Sequence, residues 1–311
     1  MNKFKRFSIP YLVWMILFTG IPVILMILFA FSTVKSFTIY NFDFSNYQFT
    51  VKTLESLTEM TFIKSFLRSL GYALIATILC LLIGYPISYF ISKSKLKHKY
   101  ILLLIFIMPM WTNMLLRVQT INNLLGANSF FTNVFGFTIN LSNQKDLKII
   151  AVMTLVYLPF MIFPTYTVLE KLDKSLNEAS NDLGAGNIAT FFKVTLPLSA
   201  KGIFSGVLMV FLPAAMSFTI PSIVTDNDSN YAMVGLLIER RFKGTSPAYN
   251  IGSIYSLIIL ILVLGSLFII SKIDEDGETL LWQKKELLYK SHYLKELKIN
   301  HLILLRLCSL Y

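Results

Sequence analysis

Six long stretches of the chain contain no charged residue, and segments rich in charged and polar residues separate them. The uncharged stretches cover residues 7–34, 69–92, 100–116, 149–169, 202–225 and 244–271. A helix of about 20 apolar residues crosses the hydrocarbon core of a bilayer. The pattern therefore predicts an all-α integral membrane protein with six transmembrane helices. Their predicted bounds are about 10–32, 66–92, 100–121, 149–170, 202–225 and 250–271.

The amino-acid composition agrees with a membrane protein. Of the 311 residues, 55% are hydrophobic and only 14% are charged, whereas about a quarter of the residues in a typical soluble domain are charged. This composition excludes a disordered chain and a coiled coil. Two cysteines are too few for a disulfide-stabilised scaffold.

Lysine and arginine are distributed unevenly between the two sides of the predicted membrane. They are concentrated before the first span, in the 93–99 loop, in the 171–201 loop and after residue 271. Cytoplasmic loops carry an excess of these residues. We therefore expect a multi-pass protein of the bacterial cytoplasmic membrane, with the lipid bilayer around it and both termini in the cytoplasm. The net charge of +11 reflects this distribution, so we expect no nucleic-acid partner.

Motifs for catalysis and metal binding are absent from the sequence, including H-E-x-x-H, G-x-S-x-G and the P-loop. We therefore predict no catalytic residue, no metal site and no cofactor bound by this chain. The uncharged stretches by definition hold no Asp or Glu. Ion-driven transporters usually place carboxylates at membrane depth, so the sequence argues against that class.

The segment 172–202 is the most informative internal loop and reads LDKSLNEASNDLGAGNIATFFKVTLPLSAKG. Ser175 and Glu178 have the spacing of a capping box, which predicts a short helix beginning near Leu176. Gly184 is a residue at which such a helix can end, and Asn187 can begin a second one. We expect two short helices separated by a bend, on the cytoplasmic face of the membrane.

This loop resembles the EAA loop of the permease subunits of ABC importers that receive their solute from a binding protein. The family pattern is E-A-A, three residues, G, nine residues, I, one residue and L-P. The corresponding residues are Glu178, Ala179, Ser180, Gly184, Ala185, Val194, Leu196 and Pro197. Ser180 replaces the second alanine, and Val194 replaces isoleucine. The resemblance implies the type I ABC importer permease fold, with 1–271 as the transmembrane domain and 172–202 as the coupling loop.

The resemblance also implies the partners of the chain. These are a dimer of ABC ATP-binding subunits docked on the coupling loop, a second permease subunit, and an extracytoplasmic solute-binding protein. The chain itself would not be an enzyme, because ATP would be used by the partner subunit. Transport would proceed by ATP-driven alternating access.

Two further segments are similar to spermidine/putrescine permeases of the PotB type. Met108–Asn113 with Leu116-Arg117 resembles the family's L-P-F-W-T-S/N…I-R stretch, and 220–242 resembles its I-P…M-I-G-x-x-I…F region. The usual R-T-Y-A-W is replaced here by 117–121, R-V-Q-T-I. A polyamine is therefore the expected solute, and an oxyanion or iron chelate remains an alternative. A stand-alone channel or enzyme is disfavoured, because neither needs the EAA spacing.

Aromatic and polar residues within the predicted spans are candidates for the translocation path. They are Trp111, Asn113, Arg117, Tyr157 and Tyr166. Tyrosine and tryptophan rings can bind ammonium groups with about 0.5–2 kcal/mol, but ordinary packing or an interfacial location is an alternative for each. The cytoplasmic tail, 272–311, lies outside the resemblance, and its role is unknown. The tail could form a helix on the membrane surface, or it could be a frame-shifted extension of the gene.

Overall fold

A computed structural model of the chain describes residues 2–32, 48–94, 99–126, 141, 143–243 and 248–268. Most of these residues are helical, and the β-type pairing among them is an isolated antiparallel bridge between Ser32 and Phe49. The predicted all-α architecture is confirmed. The predicted tail, 272–311, and the last residues of the predicted sixth span lie outside the described residues.

The helices of the described chain are numbered in chain order. They are α1 (Asn2–Ala30), α2 (Met60–Lys93), α3 (Lys99–Ile107), α4 (Met114–Leu124), α5 (Lys145–Lys171), α6 (Lys174–Asp182), α7 (Asn187–Thr190), α8 (Leu196–Leu198), α9 (Ala200–Ala215), α10 (Thr219–Val224), α11 (Val234–Lys243) and α12 (Tyr249–Phe268). The chain divides into two compact units, Met1–Ile259 and Leu260–Tyr311. The described part of the second unit is the end of α12.

Long apolar helices dominate the described chain. Pro10–Ala30 of α1, together with α2, α5 and α12, are each long and apolar enough to cross a membrane. Two bent helix pairs, Lys99–Trp111 with Met114–Leu124 and Asn187–Leu198 with Ala200–Ala215, also pass this test. The described chain therefore contains four candidate spans, or up to six if each bent pair is one span.

The third predicted span, 100–121, is bent sharply in its middle. Helix α3 runs into a 3-10 turn, Met108–Trp111, and α4 leaves this segment at an angle of 106°. Pro109 lies in the turn, where it has no backbone N–H to donate to a continuous helix. Asn113 then begins α4, because its side chain accepts a hydrogen bond from the backbone N–H of Leu115 (2.8 Å).

The fifth predicted span, 202–225, is interrupted in a similar way. Helix α9 ends at Ala215, and α10 begins only at Thr219. The first turn of α11 packs against this break, since a β-carbon at Gly235 would overlap the carbonyl oxygen of Met216. Glycine is required there because only it permits such a close approach of two backbones.

The helices α2, α5 and α9 pack against one another at the centre of the first unit. Small residues line their contacts: a β-carbon at Gly84 would lie 3.0 Å from Met161 Cγ, and one at Gly206 would lie 2.6 Å from Met161 Sδ. The Ser88 hydroxyl also donates a hydrogen bond to the carbonyl oxygen of Ile162 (3.0 Å). Close packing of this kind is the main attraction between helices that share a lipid environment.

The segment between α10 and α11 is tied to α2 and α5 by charged side chains. The Lys145 ammonium donates a hydrogen bond to Asp228 (2.9 Å), and Arg68 donates one to the carbonyl oxygen of Ala232 (3.4 Å). The ring of Tyr231 lies 5.2 Å from Lys145 Nζ and 5.9 Å from Arg68 Cζ. The hydrogen bond from Lys145 lowers the pKa of Asp228, because it stabilises the charged carboxylate.

Candidate functional site

The first short helix of the predicted coupling loop, α6, begins two residues before the predicted start at Leu176. Asp173, and not Ser175, is its N-cap residue, and the Asp173 side chain accepts a hydrogen bond from the Ser175 backbone N–H (2.9 Å). This bond lowers the pKa of Asp173, and its negative charge is stabilised at a helix N-terminus. The predicted capping box is therefore wrong. Glu178 lies one residue beyond the first turn of α6, where its side chain is exposed.

Helix α6 ends at a glycine in the left-handed conformation, as the sequence predicted. Gly184 has a φ of +80°, which a residue without a β-carbon adopts at little cost. The backbone N–H of Ala185 donates to the carbonyl oxygen of Ser180 (3.1 Å), and that of Gly184 donates to Asn181 (2.9 Å). This pair of hydrogen bonds is a Schellman motif, and it sets the direction in which the chain leaves α6.

Hydroxyl groups join α6 to the second short helical segment. The Thr190 hydroxyl lies 3.0 Å from the Ser180 hydroxyl and donates a hydrogen bond to Asn181 Oδ1 (3.3 Å). The Thr195 hydroxyl donates one to Asn177 Oδ1 (3.1 Å). Both threonines are buried. The two short helices are therefore held together as one unit by contacts within the loop itself.

The second segment of the loop runs from Asn187 to Leu198 and is not one regular α-helix. It consists of α7, a π-helical turn over Phe191–Thr195, and α8, and the chain then bends by 63° into α9. Pro197 lies in the first turn of α8, where the lack of a backbone N–H is tolerated. Leu196 is partly buried and Pro197 is exposed.

The surface of the loop carries exposed apolar side chains. Leu183 is 89% exposed, Ile188 is 77% exposed and Leu176 is 44% exposed. Leu176, Ala179 and Leu183 follow one another at helical spacing and therefore lie on one face of the α6 end. Exposed apolar groups bordered by polar residues such as Glu178 are typical of a protein-binding surface. The spacing of Leu176 and Leu183 in the sequence indicates their common face, whereas no sequence pattern indicates the exposure of Ile188.

Two of the predicted path residues stabilise the bend between α3 and α4. Asn113 is the N-cap of α4, and the Arg117 guanidinium donates a hydrogen bond to the carbonyl oxygen of Pro109 (2.5 Å). The Arg117 Nε atom is buried without a hydrogen-bond partner in the described chain. Trp111, at the end of the 3-10 turn, is 77% exposed, so its ring is available to lipid, to a partner or to an open path.

The two predicted path tyrosines are both buried and lie on α5. The Tyr157 hydroxyl donates a hydrogen bond to the carbonyl oxygen of Pro213 in α9 (3.3 Å). Tyr166 lies nine residues further along α5, which corresponds to about 13 Å of helix. The structure thus places Tyr157 and Tyr166 at different levels of α5.

Reactive groups are sparse in the part of the chain that the structure describes. No group of three or more His, Cys, Asp or Glu side chains there could hold a metal ion. Cys80 is buried in α2, where its thiol donates a hydrogen bond to the carbonyl oxygen of Thr154 (3.3 Å). The described features are suited to binding a partner and to forming a polar bend at membrane depth.

Residues 84–272, which include the predicted coupling loop and both interrupted helices, match the family described as binding-protein-dependent transport system inner membrane component. The chain belongs to this family. Its predicted membership is therefore confirmed, and the chain is a permease subunit of a binding-protein-dependent ABC importer.

Named relatives resemble this permease over most of its length. The spermidine/putrescine transport system permease protein PotB of Haemophilus influenzae is 32% identical over 275 residues, which cover 86% of this chain and 93% of the relative. PotB of Escherichia coli K12 is 32% identical over 235 residues, covering 74% and 82% of the two chains. The predicted similarity to permeases of the PotB type is therefore confirmed.

A solved structure is similar to this permease in fold. It is the crystal structure of a bacterial ABC transporter involved in the import of the acidic polysaccharide alginate, with a TM-score of 0.64. The similarity covers 87% of this chain and 95% of the other, at 15% sequence identity. At that identity the likeness concerns the arrangement of helices and not the solute.

Proposed function

We propose that this permease forms half of the membrane pore of a polyamine importer and is driven by separate ATP-binding subunits that dock on the loop 172–202. The observation that carries this proposal is the coupling loop, which is held as a preformed unit and exposes apolar side chains. The permease would work with a second permease subunit and an extracytoplasmic binding protein. It would lack ATPase activity of its own.

The shape of the loop supports its role as the docking site. The Schellman motif at Gly184 and the buried hydroxyls of Thr190 and Thr195 hold α6 and the following segment in one arrangement. A preorganised surface loses little conformational entropy when a partner binds. Leu183 and Ile188 would supply the apolar anchors of the contact, and Glu178 would lie beside them.

The proposed topology has six spans and cytoplasmic termini. The bent pair Lys99–Trp111 with Met114–Leu124 would then count as one span, and the fifth span would begin at α9, after the bend at Ser199 that ends the loop segment Asn187–Leu198. The coupling loop would precede the fifth span on the cytoplasmic side, where the ATP-binding subunits are. The basic residues in 93–99 and 171–201 support this orientation.

The proposed solute is a polyamine such as spermidine or putrescine. The names of the relatives support this choice, and the resemblance of 108–117 to their sequences agrees with it. The path would include Trp111, Asn113, Arg117, Tyr157 and Tyr166. Their aromatic rings could bind ammonium groups transiently. Strong selection of the solute would be left to the binding protein.

The transport cycle would be alternating access. Closure of the ATP-binding dimer would move the coupling loop, and the loop would move the spans attached to it. Rigid-body changes of this kind require packed elements with two discrete arrangements. The close packing of α2, α5 and α9 around Met161 would allow these three helices to move together.

An uptake experiment tests the proposal. A strain that lacks polyamine import is supplied with this permease and the second permease, ATP-binding subunit and binding protein from adjacent genes, and uptake of labelled spermidine is measured. We expect uptake that excess putrescine inhibits and that sulfate and ferric chelates do not. The double variant Leu183→Ser, Ile188→Ser should abolish uptake and reduce co-purification of the ATP-binding subunit.

Two results would contradict this function. Import of sulfate or a ferric chelate in place of spermidine would overturn the proposed substrate class. Full uptake by the double serine variant would overturn the docking site. A matched control is Phe192→Ala, because Phe192 is 60% exposed in the same loop region but follows the proposed anchors in the π-helical turn.

A further inference from the structure

An aromatic contact joins the coupling loop to a long membrane helix. The ring of Phe191, the first residue of the π-helical turn, meets two tyrosine rings of α2 edge to face. Its centroid lies 5.8 Å from that of Tyr85, at an interplanar angle of 75°, and 5.1 Å from that of Tyr89, at 85°. Tyr85 and Tyr89 are four residues apart and therefore share one face of α2.

A hydrogen bond reinforces this contact at the point where the chain bends into α9. The hydroxyl groups of Tyr85 and Ser199 are 2.9 Å apart, and the Ser199 hydroxyl also donates to the carbonyl oxygen of Leu196 (2.9 Å). Tyr85 and Ser199 are both buried. The same tyrosine thus contacts both the beginning and the end of the segment 191–199.

Both sides of this contact are built into larger units. On the loop side, Thr195 is bonded to Asn177 of α6, so Phe191 belongs to the same unit as the exposed loop surface. On the membrane side, the Ser88 hydroxyl is bonded to the carbonyl oxygen of Ile162 in α5. A displacement of the loop surface relative to α2 would therefore have to break the aromatic contact or carry α2 with it.

The neighbouring aromatic residue differs from Phe191. Phe192 stacks edge to face on Phe191, with ring centroids 5.0 Å apart, but its own side chain is 60% exposed. The ring of Tyr89 is further supported by the Lys93 ammonium, 5.8 Å from its centroid. Of the two adjacent phenylalanines, Phe191 is thus the one that is partly buried and whose ring packs against α2.

We propose that Phe191, Tyr85 and Tyr89 form an aromatic joint that carries the movement of the docked coupling loop into α2. Phe191 is then a positioning residue for transport, and it acts through α2 without touching the solute. This inference rests on the proposed function, because it assumes that an ATP-binding subunit docks on the loop. It specifies the contact through which movement of the loop would be transmitted to the membrane helices.

The experiment uses the complete importer reconstituted in proteoliposomes. Phe191→Ala is compared with Phe192→Ala, and three quantities are measured: the yield of co-purified ATP-binding subunit, the ATPase rate with and without loaded binding protein, and solute uptake. For Phe191→Ala we expect normal assembly and basal ATPase activity. Uptake and the stimulation by binding protein should fall about tenfold or more, since both edge-to-face contacts with α2 are lost.

Companion variants separate the joint from general damage to the fold. Phe191→Tyr keeps the ring and should restore at least half of the uptake, whereas Tyr89→Ala removes the opposite side of the contact and should reproduce the uncoupled behaviour. Phe192→Ala should behave as wild type. A purely structural role would lower assembly and basal ATPase activity together with uptake.

Several results would overturn the joint. They are wild-type uptake by Phe191→Ala, an equal loss in Phe192→Ala, and loss of the ATP-binding subunit from Phe191→Ala. The last result would mean that the ring shapes the docking surface. Failure of the proposed function gives a different result, because the wild-type permease itself would then not retain an ATP-binding subunit or import spermidine.

Discussion

Replacement of Gly184 by alanine should weaken docking of the ATP-binding subunit through the backbone alone. The φ of Gly184 is +80°, and an L-residue in the left-handed region costs about 1–2 kcal/mol relative to glycine. Nothing lies within 4 Å of a β-carbon at this position, so no collision adds to the cost. The ratio of the native loop conformation to other conformations should therefore fall by about 5–30-fold.

The affinity of the ATP-binding subunit for the permease in nanodiscs measures this effect. The dissociation constant should rise by up to about 5–30-fold in Gly184→Ala if only the native loop conformation binds and the substitution makes that conformation the minor one. Gly184→Asn should lose less affinity for the ATP-binding subunit than Gly184→Ala, because asparagine tolerates the left-handed region better than alanine. Gly184→Asp should retain much of the backbone conformation but place a charge in the docking surface, and it should abolish uptake while the protein remains in the membrane.

A second glycine of the same loop provides the matched control. Gly186 also has open space around its β-carbon position, but its φ is −68°, an ordinary value for any residue. Gly186→Ala should therefore bind the ATP-binding subunit like wild type. Unchanged affinity in Gly184→Ala, or equal losses in both variants, would refute the argument that the conformation at Gly184 positions the docking surface.

Three further predictions concern the surface, the packing and the pH dependence. Leu183→Ser should reduce binding of the ATP-binding subunit in a pull-down without changing the thermal unfolding of the permease, because the side chain is exposed. Gly235→Ala should destabilise the permease by about 1–3 kcal/mol through overpacking, measured by denaturant unfolding, whereas Gly71→Ala, with open space around it, should not. The hydrogen bond from Lys145 lowers the pKa of Asp228, so this contact should stabilise the protein at neutral pH. The stabilisation should be lost as the pH falls through that lowered pKa. In thermal scans from pH 7 to 3, Asp228→Asn should therefore lose less stability on acidification than wild type.

The sequence predicted the apolar helices well, because lipid imposes one simple requirement on length and composition. The long helices α2 and α5 each end one residue beyond the predicted span, and they begin six and four residues before it. The predictions over 100–121 and 202–225 were less accurate, since each of these regions contains a break. A proline in the sequence indicates where a helix can break, but not whether it does. At the break beside Pro109, the Arg117 guanidinium donates a hydrogen bond to the Pro109 carbonyl oxygen and so stabilises the bend.

In the predicted coupling loop, too, some features could be predicted from the sequence and others depended on tertiary contacts. The glycine at position 184 is a local signal, so the end of α6 could be predicted from the sequence. The start of α6 could not be chosen reliably, because Asp173 and Ser175 are both good N-cap residues and their competition depends on where the preceding helix α5 ends. The exposure of Ile188 depends on how α7 packs, and no pattern in the four residues of α7 indicates it.

The amino-acid sequence by itself determined the class of the protein, its apolar spans and its membership of a transporter family. These properties follow from composition and from motif spacing, which do not require knowledge of distant contacts. The tertiary structure alone decided that Phe191 meets Tyr85 and Tyr89, and that Tyr157 is hydrogen-bonded to Pro213. Those pairs are separated by 56 to 106 residues in the chain, and only the packing of whole helices, whose small residues allow close approach, brings them together.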